Sequence, residues 1–486
     1  MSPIKSPERK YRNVLIMMAD EHSNKVLGCH GHPVVHTPNI DRLASRGTRF
    51  ANAYTNCPIC VPARASFATG LYTFETGCWD NASAYTGALP SWGHALKEKG
   101  VPSYSIGKLH YRSVKDDTGF TEQILPMHVV NGIGDLLGAV RDPLPVRHKS
   151  KSLATEIGPG ESTYVEYDRK ITDASCQWLA QHAEQEPWTL FVSWVSPHYP
   201  LIAPQEFYDM YAAQDLPLPK ACKRGDWPHH PWLDAFRECF ITDRFFTDET
   251  RRIAIAAYYG LVSFMDGNVG RVLSALEASG AAEDTLIIYT SDHGDNLGAR
   301  GLWGKSTMYE EAAAVPLVLA GKGVPAGKVV QTPVSLVDVH PTLMDAFGCP
   351  AVAGTRGESL LRLASSAANA ERMVFSEYHA AGAATGAFML RQGPYKYIHY
   401  AGMPPQLFNL QDDPGELNDI AGRPGQSARL DHFRKALTGI CNPQAVDQRA
   451  KADQAALVAR HGGREKIVAK GSFGATPAPG HDAKYE

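Results

Sequence analysis

Residues Asn13–Asp20 read NVLIMMAD, a continuous apolar run that ends in a carboxylate. An unbroken run of this length is typical of a strand that is buried on both faces of a sheet. Such strands belong to largely parallel sheets covered by helices, and the ligands of these sheets bind beyond the carboxyl ends of the strands. The stretch therefore predicts an α/β fold with Asp20 at the edge where a site would lie.

Strand-like and helix-like segments alternate along most of the chain that follows. Strands are predicted at 101–106, 189–196, 285–292 and 316–320, and helices at 37–47, 90–100, 161–184, 247–279 and 337–347. This alternation predicts a largely parallel sheet flanked by helices. Short strand-like segments at 373–379, 387–391, 395–400 and 406–410 predict a smaller antiparallel sheet. We therefore expect a main domain over residues 1–370, an α+β subdomain over 371–465 and an extended tail over 466–486.

The composition is that of an ordinary globular protein, with 486 residues, 44% hydrophobic and 20% charged, and a net charge of −3. This balance argues against nucleic acid or a membrane surface as a partner, because such binders carry a strong basic excess. The polar start, MSPIKSPERKYRN, lacks the apolar stretch of a signal peptide, so a cytoplasmic protein is expected. The Gly-, Ala- and Pro-rich tail is expected to be disordered or to wrap a neighbouring subunit, which would make the protein a homo-oligomer.

Cys57 and Cys60 have the CxxC spacing of redox and metal pairs. A zinc site would need a second pair of ligands at metal spacing, and no such pair stands in the sequence. Another interpretation is two buried thiols that pack as small apolar side chains. A third takes residues Cys60–Arg64, CVPAR, as one unit.

The CVPAR unit resembles the C-x-P-x-R signature of the sulfatases, within the alkaline phosphatase superfamily, and the following ASFATG at Ala65–Gly70 extends the likeness. In that family a dedicated formylglycine-generating enzyme oxidises the cysteine to formylglycine, an aldehyde. The resemblance implies an alkaline-phosphatase-like mixed, largely parallel sheet with a smaller C-terminal antiparallel sheet. The main domain, 1–370, would then be the catalytic sulfatase domain.

The hydrate of an aldehyde explains why this family would modify Cys60. One of its two hydroxyls attacks sulfur and expels the alcohol, and the second then collapses to the aldehyde and expels sulfate by C–O cleavage. A plain serine would leave a stable sulfated enzyme. Arg64 lies one helical turn past Cys60, so its guanidinium would reach the hydrate. A helix that begins near Pro62 would favour an anion at its N-terminus.

The implied metal ligands are Asp20, the hydrate at Cys60, Asp292 and His293. The segment Ser291–Asp295, SDHGD, resembles the second metal segment of the family. Carboxylates and hydrate oxygens favour calcium, and an imidazole ligand makes manganese an alternative, with magnesium a further one. Many sulfatases carry a second Asp after the first, whereas Glu21 stands here, and its role as a ligand stays open. Asp20 taken alone would be interpreted as a helix cap.

Further motifs supply groups for the anion and the leaving alcohol. Gly107–His110 resembles the G-K-x-H segment of the family, Pro197–Pro200 its P-H-x-P segment, and Gly301–Lys305 the segment that delivers another lysine. The resemblance implies that Lys108 binds sulfate oxygens and that His110 orients the hydrate or a sulfate oxygen. It places His198 against the leaving oxygen and Lys305 between sulfate and leaving group. Each residue alone would be interpreted as a solvated lysine or a core histidine, and their joint order along the chain favours the site.

Asn81 indicates a subgroup of the sulfatase family, and it is a candidate substrate-binding residue. Its place after the nucleophile resembles choline-sulfatase-like and phosphonate-monoester-hydrolase-like members, although a turn residue is the alternative. Phosphonate monoester hydrolases tend to carry neutral hydroxyl residues where Lys108 and His110 stand, so this pair favours sulfate. The segment Trp227–Trp232, within a long surface insertion at 216–246, either lines the substrate entrance or packs on the surface.

The sequence therefore predicts hydrolysis of an alkyl or aryl sulfate monoester. Two alternatives remain open. One is a phosphonate monoester or phosphodiester hydrolase that uses the same site. The other is a non-catalytic metal- and anion-binding protein with unmodified Cys60.

Overall fold

The computed structural model describes residues 9–185 and 187–486. The first eight residues, on which most of the signal-peptide prediction depends, lie outside the described residues. Within the described residues the strands, in chain order, are β1 (Asn13–Asp20), β2 (Thr48–Phe50), β3 (Ala53–Tyr54), β4 (Ser103–Lys108), β5 (Glu122–Met127), β6 (Ile157–Pro159), β7 (Thr189–Pro197), β8 (Leu201–Ala203), β9 (Thr285–Ser291), β10 (Leu317–Ala320), β11 (Lys328–Val330), β12 (Val334–Ser335), β13 (Met373–Tyr378), β14 (Ala387–Gln392), β15 (Tyr395–Tyr400) and β16 (Met403–Asn409).

Most helices within the described residues are short, and the two longest pack on the sheet. In chain order they are α1 (Pro38–Ser45), α2 (Cys60–Thr69), α3 (Thr73–Thr76), α4 (Trp92–Lys97), α5 (Ser152–Thr155), α6 (Thr163–His182), α7 (Gln205–Ala212), α8 (Pro231–Cys239), α9 (Asp248–Ala278), α10 (Glu310–Ala313), α11 (Val339–Ala346), α12 (Leu360–Ser365), α13 (Ser427–Ile440), α14 (Pro443–Arg460) and α15 (Gly463–Lys470). The two long ones are α6 and α9.

Eight of the strands form one mixed sheet in the order β11-β2-β10-β9-β1-β7-β4-β5. β1 lies near its centre and pairs in parallel with β7 and β9. Only β10 runs against its neighbours in this sheet, opposing β9 and β2. The predicted α/β fold with a largely parallel sheet is confirmed.

All eight residues of β1 are buried, as the apolar run predicts. Its alternate side chains enter different cores, because successive residues of a strand point to opposite faces. Ile16 packs on the face covered by α2, α4 and α11. Met17 packs on the face covered by α1, α6 and α9. Burying each such side chain contributes roughly 1.5–3 kcal/mol, so this strand anchors the edge that carries Asp20.

A second sheet, in the order β13-β14-β15-β16, is antiparallel throughout, as predicted. One face packs against Tyr54, Ile59 and Met308 of the main domain, and the other packs against α13. The last helix, α15, ends at Lys470, inside the predicted extended tail. The residues after it run back along the main domain of their own chain.

The structure decides between the two alternatives for the insertion at 216–246. It contains α8, whose Trp232 is buried and packs beside Tyr378 and Tyr400 of the second sheet. His230 also lies against the Tyr400 ring. These aromatic side chains therefore join the insertion to the second sheet and do not line a substrate entrance.

In the described part of the chain, no helix combines the length and the apolar character needed to cross a membrane.

Candidate active site

The parallel strands bring the predicted metal ligands to one edge of the sheet. Asp20 ends β1, Asp292 and His293 follow β9, and Cys60 begins α2. Each of these four buried residues offers a ligand atom, and the four atoms all lie within 4.8 Å of one another. The His293 Nε2 atom is 3.6 Å from a carboxylate oxygen of Asp20 and 3.6 Å from one of Asp292. Two carboxylates, an imidazole and a fourth donor at residue 60 suit a divalent cation.

Cys60 lies at the N-terminus of a helix that is buried along its whole length. The helix begins at Cys60 rather than near Pro62, because Ile59 is extended and serves as its N-cap residue. The Cys60 Sγ atom is 3.1 Å from His293 Nε2 and 3.6 Å from an Asp20 oxygen. Burial raises the pKa of the Cys60 thiol to about 11, so the protein surroundings alone do not produce a reactive thiolate.

Arg64, one turn along the same helix, contacts residues from several neighbouring strands at this edge of the sheet. Its Nε donates to Asp292 at 2.8 Å, and its Nη2 lies 3.5 Å from Asp20. Its Nη1 donates to the carbonyl oxygen of Lys108 at 2.7 Å and to Ser193 Oγ at 2.9 Å. Removing this buried guanidinium would leave two carboxylates short of a partner, a loss that costs about 3–5 kcal/mol in comparable buried pairs.

Lys108 and His110 lie beside this cluster at the end of β4. The Lys108 ammonium contacts Asp20 directly. Burial alone would raise the pKa of Asp20, but Lys108 and the other cations of the site hold it well below its usual value. His110 is buried, has a φ of 55° and has no hydrogen-bond partner on either ring nitrogen within the described residues. A buried imidazole without a protein partner is suited to contact a ligand.

His198 and Lys305 form a hydrogen-bonded pair on the other side of Cys60. The Lys305 Nζ atom is 2.6 Å from His198 Nε2 and 3.3 Å from Cys60 Sγ. Burial, with the Lys305 ammonium nearby, lowers the pKa of His198 well below its usual value. A neutral His198 then donates from Nδ1 to the Tyr199 carbonyl at 2.6 Å and accepts from Lys305 at Nε2.

Asn81 completes the wall of the site near the start of α2. Its Oδ1 accepts a hydrogen bond from the Val61 backbone N–H at 3.2 Å, which is one of the free donors of the helix N-terminus. Asn81, His110, His198 and Lys305 all line one small cavity above Cys60. The structure therefore brings together every residue that the sequence predicts for the site. Cys57, the other member of the CxxC pair, is buried outside the cluster of metal ligands.

Comparison with known proteins identifies the family. A model of the family described as "Sulfatase" matches residues 12–349. The chain belongs to the sulfatase family. A second model, "N-sulphoglucosamine sulphohydrolase, C-terminal", matches residues 298–442 of this sulfatase. The resemblance noted in the sequence is thus confirmed, and the sulfatase is an enzyme that hydrolyses sulfate esters.

Relatives of the sulfatase are similar over most of their length. A choline-sulfatase of Rhizobium meliloti (strain 1021) is 32% identical and covers 91% of this chain and 89% of its own. An arylsulfatase K of Danio rerio is 31% identical over 85% of this chain and 80% of its own. The solved structure of a phosphonate monoester hydrolase of Agrobacterium radiobacter has a TM-score of 0.72 at 26% identity, and covers 88% of this chain and 95% of that one.

The structure also places residues in the site of the sulfatase that the motifs do not include. Glu21 contacts Lys305 and His198, Ser193 holds Arg64, and Tyr199 stacks on His198 with ring centroids 4.4 Å apart. Burial raises the pKa of Glu21 well above its usual value. A signal for Tyr199 lay in its place within the P-H-x-P segment. No sequence motif indicates the contact of Ser193 with Arg64, which depends on the pairing of β7 with β4.

The tail of the sulfatase closes the cavity above Cys60. Residues Phe473–Thr476 form part of its wall, and the Gly474 carbonyl accepts a hydrogen bond from the Tyr199 hydroxyl at 2.7 Å. Arg147 holds the tail by donating to Ser472 Oγ at 2.9 Å. The cavity measures about 30 Å³, room for only one or two water molecules. The tail therefore lies where a substrate would approach Cys60.

Proposed function

We propose that this sulfatase hydrolyses an alkyl or aryl sulfate monoester with a formylglycine made from Cys60 by a formylglycine-generating enzyme. The observation that carries the proposal is the position of Cys60, whose Sγ lies within 3.6 Å of Asp20, His293 and Lys305. The sulfur marks the position of an oxygen of the aldehyde or its hydrate. The hydrate supplies the nucleophilic hydroxyl that a buried, protonated thiol does not offer.

Asp20, Asp292 and His293 would hold a divalent cation together with residue 60. Calcium suits the carboxylates, and His293 makes manganese an alternative, with magnesium a further one. When bound, the ion supplies positive charge that favours ionisation of the hydrate and polarises the ester oxygens. Asp292 accepts the proton of the attacking hydroxyl, and Arg64 keeps that carboxylate oriented at 2.8 Å.

The negatively charged sulfate group is bound by Lys108, His110 and Asn81. The Lys108 ammonium provides the permanent charge, whereas the unpartnered His110 ring provides a hydrogen bond to an oxygen of sulfate or hydrate. The N-terminus of α2 adds a favourable dipole for an anion at this place. On the opposite side, His198 and Lys305 assist the alcohol oxygen as it departs.

The relatives suggest two substrate classes for the same site. Choline-sulfatase and arylsulfatase K are sulfatases by name, whereas the neighbouring structure from Agrobacterium radiobacter is a phosphonate monoester hydrolase. The Lys108–His110 pair favours sulfate as the main substrate. A phosphonate monoester, which carries a similar charge and shape, would be a secondary substrate.

The test compares kcat/KM for an aryl sulfate and an aryl phosphonate monoester with the same leaving phenol. Enzyme is produced together with a formylglycine-generating enzyme, and Cys60→Ala serves as the blank. We expect a sulfate preference of about 10²-fold or more, the magnitude that one well-placed charge supplies. A preference for the phosphonate would assign the protein to the second class.

We also propose that residues Ser472–Thr476 form a gate over the site of their own chain. The division into a catalytic domain at 1–370, a subdomain at 371–465 and a tail at 466–486 assigns this gate to the tail. Because these residues cover part of the approach to Cys60, we expect substrate to bind while the gate is open, so that the apparent affinity falls with the open fraction. The sequence-based proposal that the tail joins subunits of a homo-oligomer predicts a different effect of shortening it.

Replacing Tyr199 by Phe tests the gate, since it removes the hydrogen bond to Gly474 and keeps the ring on His198. Loss of one hydrogen bond, about 1 kcal/mol, is expected to raise kcat/KM for an aryl sulfate about fivefold. Deleting residues 472–486 should act in the same direction and leave the mass measured by light scattering unchanged. A lower mass after the deletion would show instead that the tail bridges subunits.

A further inference from the structure

We infer that Glu21 positions Lys305 for proton donation to the departing alcohol and does not bind the metal. This inference rests on the proposed function, because it requires that Lys305 act on the leaving oxygen. Glu21 follows Asp20 directly, so its carboxylate would be expected to join the same metal cluster. In the structure Glu21 is not one of the four clustered ligands Asp20, Cys60, Asp292 and His293, and its carboxylate contacts Lys305 and His198 instead.

The backbone at Glu21 accounts for this divergence. Its φ is 68°, a left-handed conformation that costs a residue with a side chain roughly 1–2 kcal/mol. Tyr258 of α9 holds the turn by donating to the Glu21 carbonyl at 2.7 Å and accepting from the Ser23 N–H at 3.0 Å. The turn leaves Asp20 among the metal ligands and aims the fully buried Glu21 side chain toward Lys305.

Lys305 has an acceptor for each of its three ammonium protons. Its Nζ atom lies 3.1 Å from Glu21 Oε2, 2.6 Å from His198 Nε2 and 3.3 Å from Cys60 Sγ. An ammonium group has three donors, so these contacts define its orientation completely. The contacts with Glu21 and His198 hold the nitrogen, and the third proton points to residue 60, where the ester would react.

The same contacts argue against a metal at Glu21. Among the described residues, the cluster of possible metal ligands that includes Glu21 also contains Asp20 and His198. Lys305 already occupies that position, with its ammonium within hydrogen-bond distance of both Glu21 and His198. A divalent cation there would face a buried like charge, which is strongly unfavourable at low dielectric. The Glu21 carboxyl also interacts with the Asp295 carboxyl.

In the proposed step Lys305 donates one proton. As the hydrate hydroxyl at residue 60 bonds to sulfur and gives its proton to Asp292, the S–O bond to the alcohol breaks, its electron pair stays on the alcohol oxygen, and an N–H proton of Lys305 moves to that oxygen. The neutral amine then regains a proton from water. A weakly acidic alkyl alcohol needs this proton, whereas a nitrophenol leaves readily as the anion. Misplacing Lys305 should therefore harm alkyl sulfates selectively.

The experiment compares Glu21→Gln, Glu21→Ala and Glu21→Met on a nitrophenyl sulfate and an alkyl sulfate. A glutamine offers its carbonyl oxygen to Lys305 and its amide N–H to Asp295, so it should keep kcat/KM within about threefold for both substrates. Glu21→Ala should lose about 10²-fold on the alkyl sulfate, the lower end of general-acid effects, and little on the nitrophenyl sulfate. Glu21→Met fills the space of the glutamate side chain but offers no strong acceptor, so it should behave like Glu21→Ala. It controls for the empty space that the alanine substitution leaves. Metal per chain, measured by elemental analysis, should not change in any variant.

Three outcomes would overturn the inference. They are an equal loss on both substrates, a glutamine variant as impaired as the alanine variant, and a loss of metal in Glu21→Gln. Failure of the proposed function is recognised separately. In that case Cys60→Ala would retain the activity of the unaltered enzyme, whatever the Glu21 variants do.

Discussion

Replacing Cys60 by Ala is expected to abolish sulfate ester hydrolysis, with a loss in kcat/KM of about 10⁴-fold or more. The nucleophile of a covalent mechanism has no substitute in the site, because the site offers no second hydroxyl or thiol among the ligands and cations around residue 60 in the described structure. An initial-rate assay with an aryl sulfate measures the loss. A Cys60→Ala variant with full activity would contradict the assignment of the nucleophile.

Cys57→Ala is the matched control for this prediction. Both cysteines are buried and stand in the same CxxC, but Cys57 lies outside the metal cluster. Its loss is expected to cost about 1 kcal/mol of stability and to leave kcat/KM within about threefold. Mass spectrometry of the peptide that contains both residues gives a second control. Only residue 60 should appear in the lighter aldehyde form that reacts with hydrazides, and an unmodified Cys60 in fully active enzyme would favour a different chemistry.

The main sheet could be predicted because its central strands are apolar without interruption. β1 is buried on both faces, and this is the pattern that an unbroken run such as NVLIMMAD indicates. The start of α2 was less predictable. Pro62 is typical of a first helical turn, but the extended conformation of Ile59 moves the start to Cys60. For the insertion around Trp232 the sequence left the substrate entrance and surface packing open, because composition does not show which surface covers an aromatic side chain.

The positions of the site residues along the chain could be predicted from motifs, and several of them lie where a strand ends or a helix starts. Parallel strands bring their carboxyl ends to one edge, and this rule alone places Asp20, Asp292 and His198 together. The direction of Glu21 could not be predicted. It depends on a left-handed turn held by Tyr258, which is distant in sequence. The position of the tail could not be predicted either, because its contact with Tyr199 joins two segments that lie 275 residues apart in sequence.

Replacing Lys108 by Ser is expected to lower kcat/KM for an aryl sulfate by about 10²- to 10³-fold, the usual effect of removing one preorganised charge stabiliser. The same variant should lose less than about tenfold on the matched aryl phosphonate, if neutral residues suffice there. The measurement is the ratio of the two kcat/KM values. Equal losses on both substrates would mean that Lys108 does not discriminate between sulfur and phosphorus.

The contact of Lys108 with Asp20 complicates this variant, because an altered metal site would also reduce activity. His110→Ala separates the two effects. His110 has no hydrogen-bond partner among the described residues, so its removal breaks no ion pair and leaves the metal ligands untouched. If Lys108→Ser and His110→Ala both lower the sulfate-to-phosphonate ratio while metal per chain stays constant, the pair acts on the sulfate group itself. A change in the ratio that appears only together with metal loss would instead assign Lys108 to the support of Asp20.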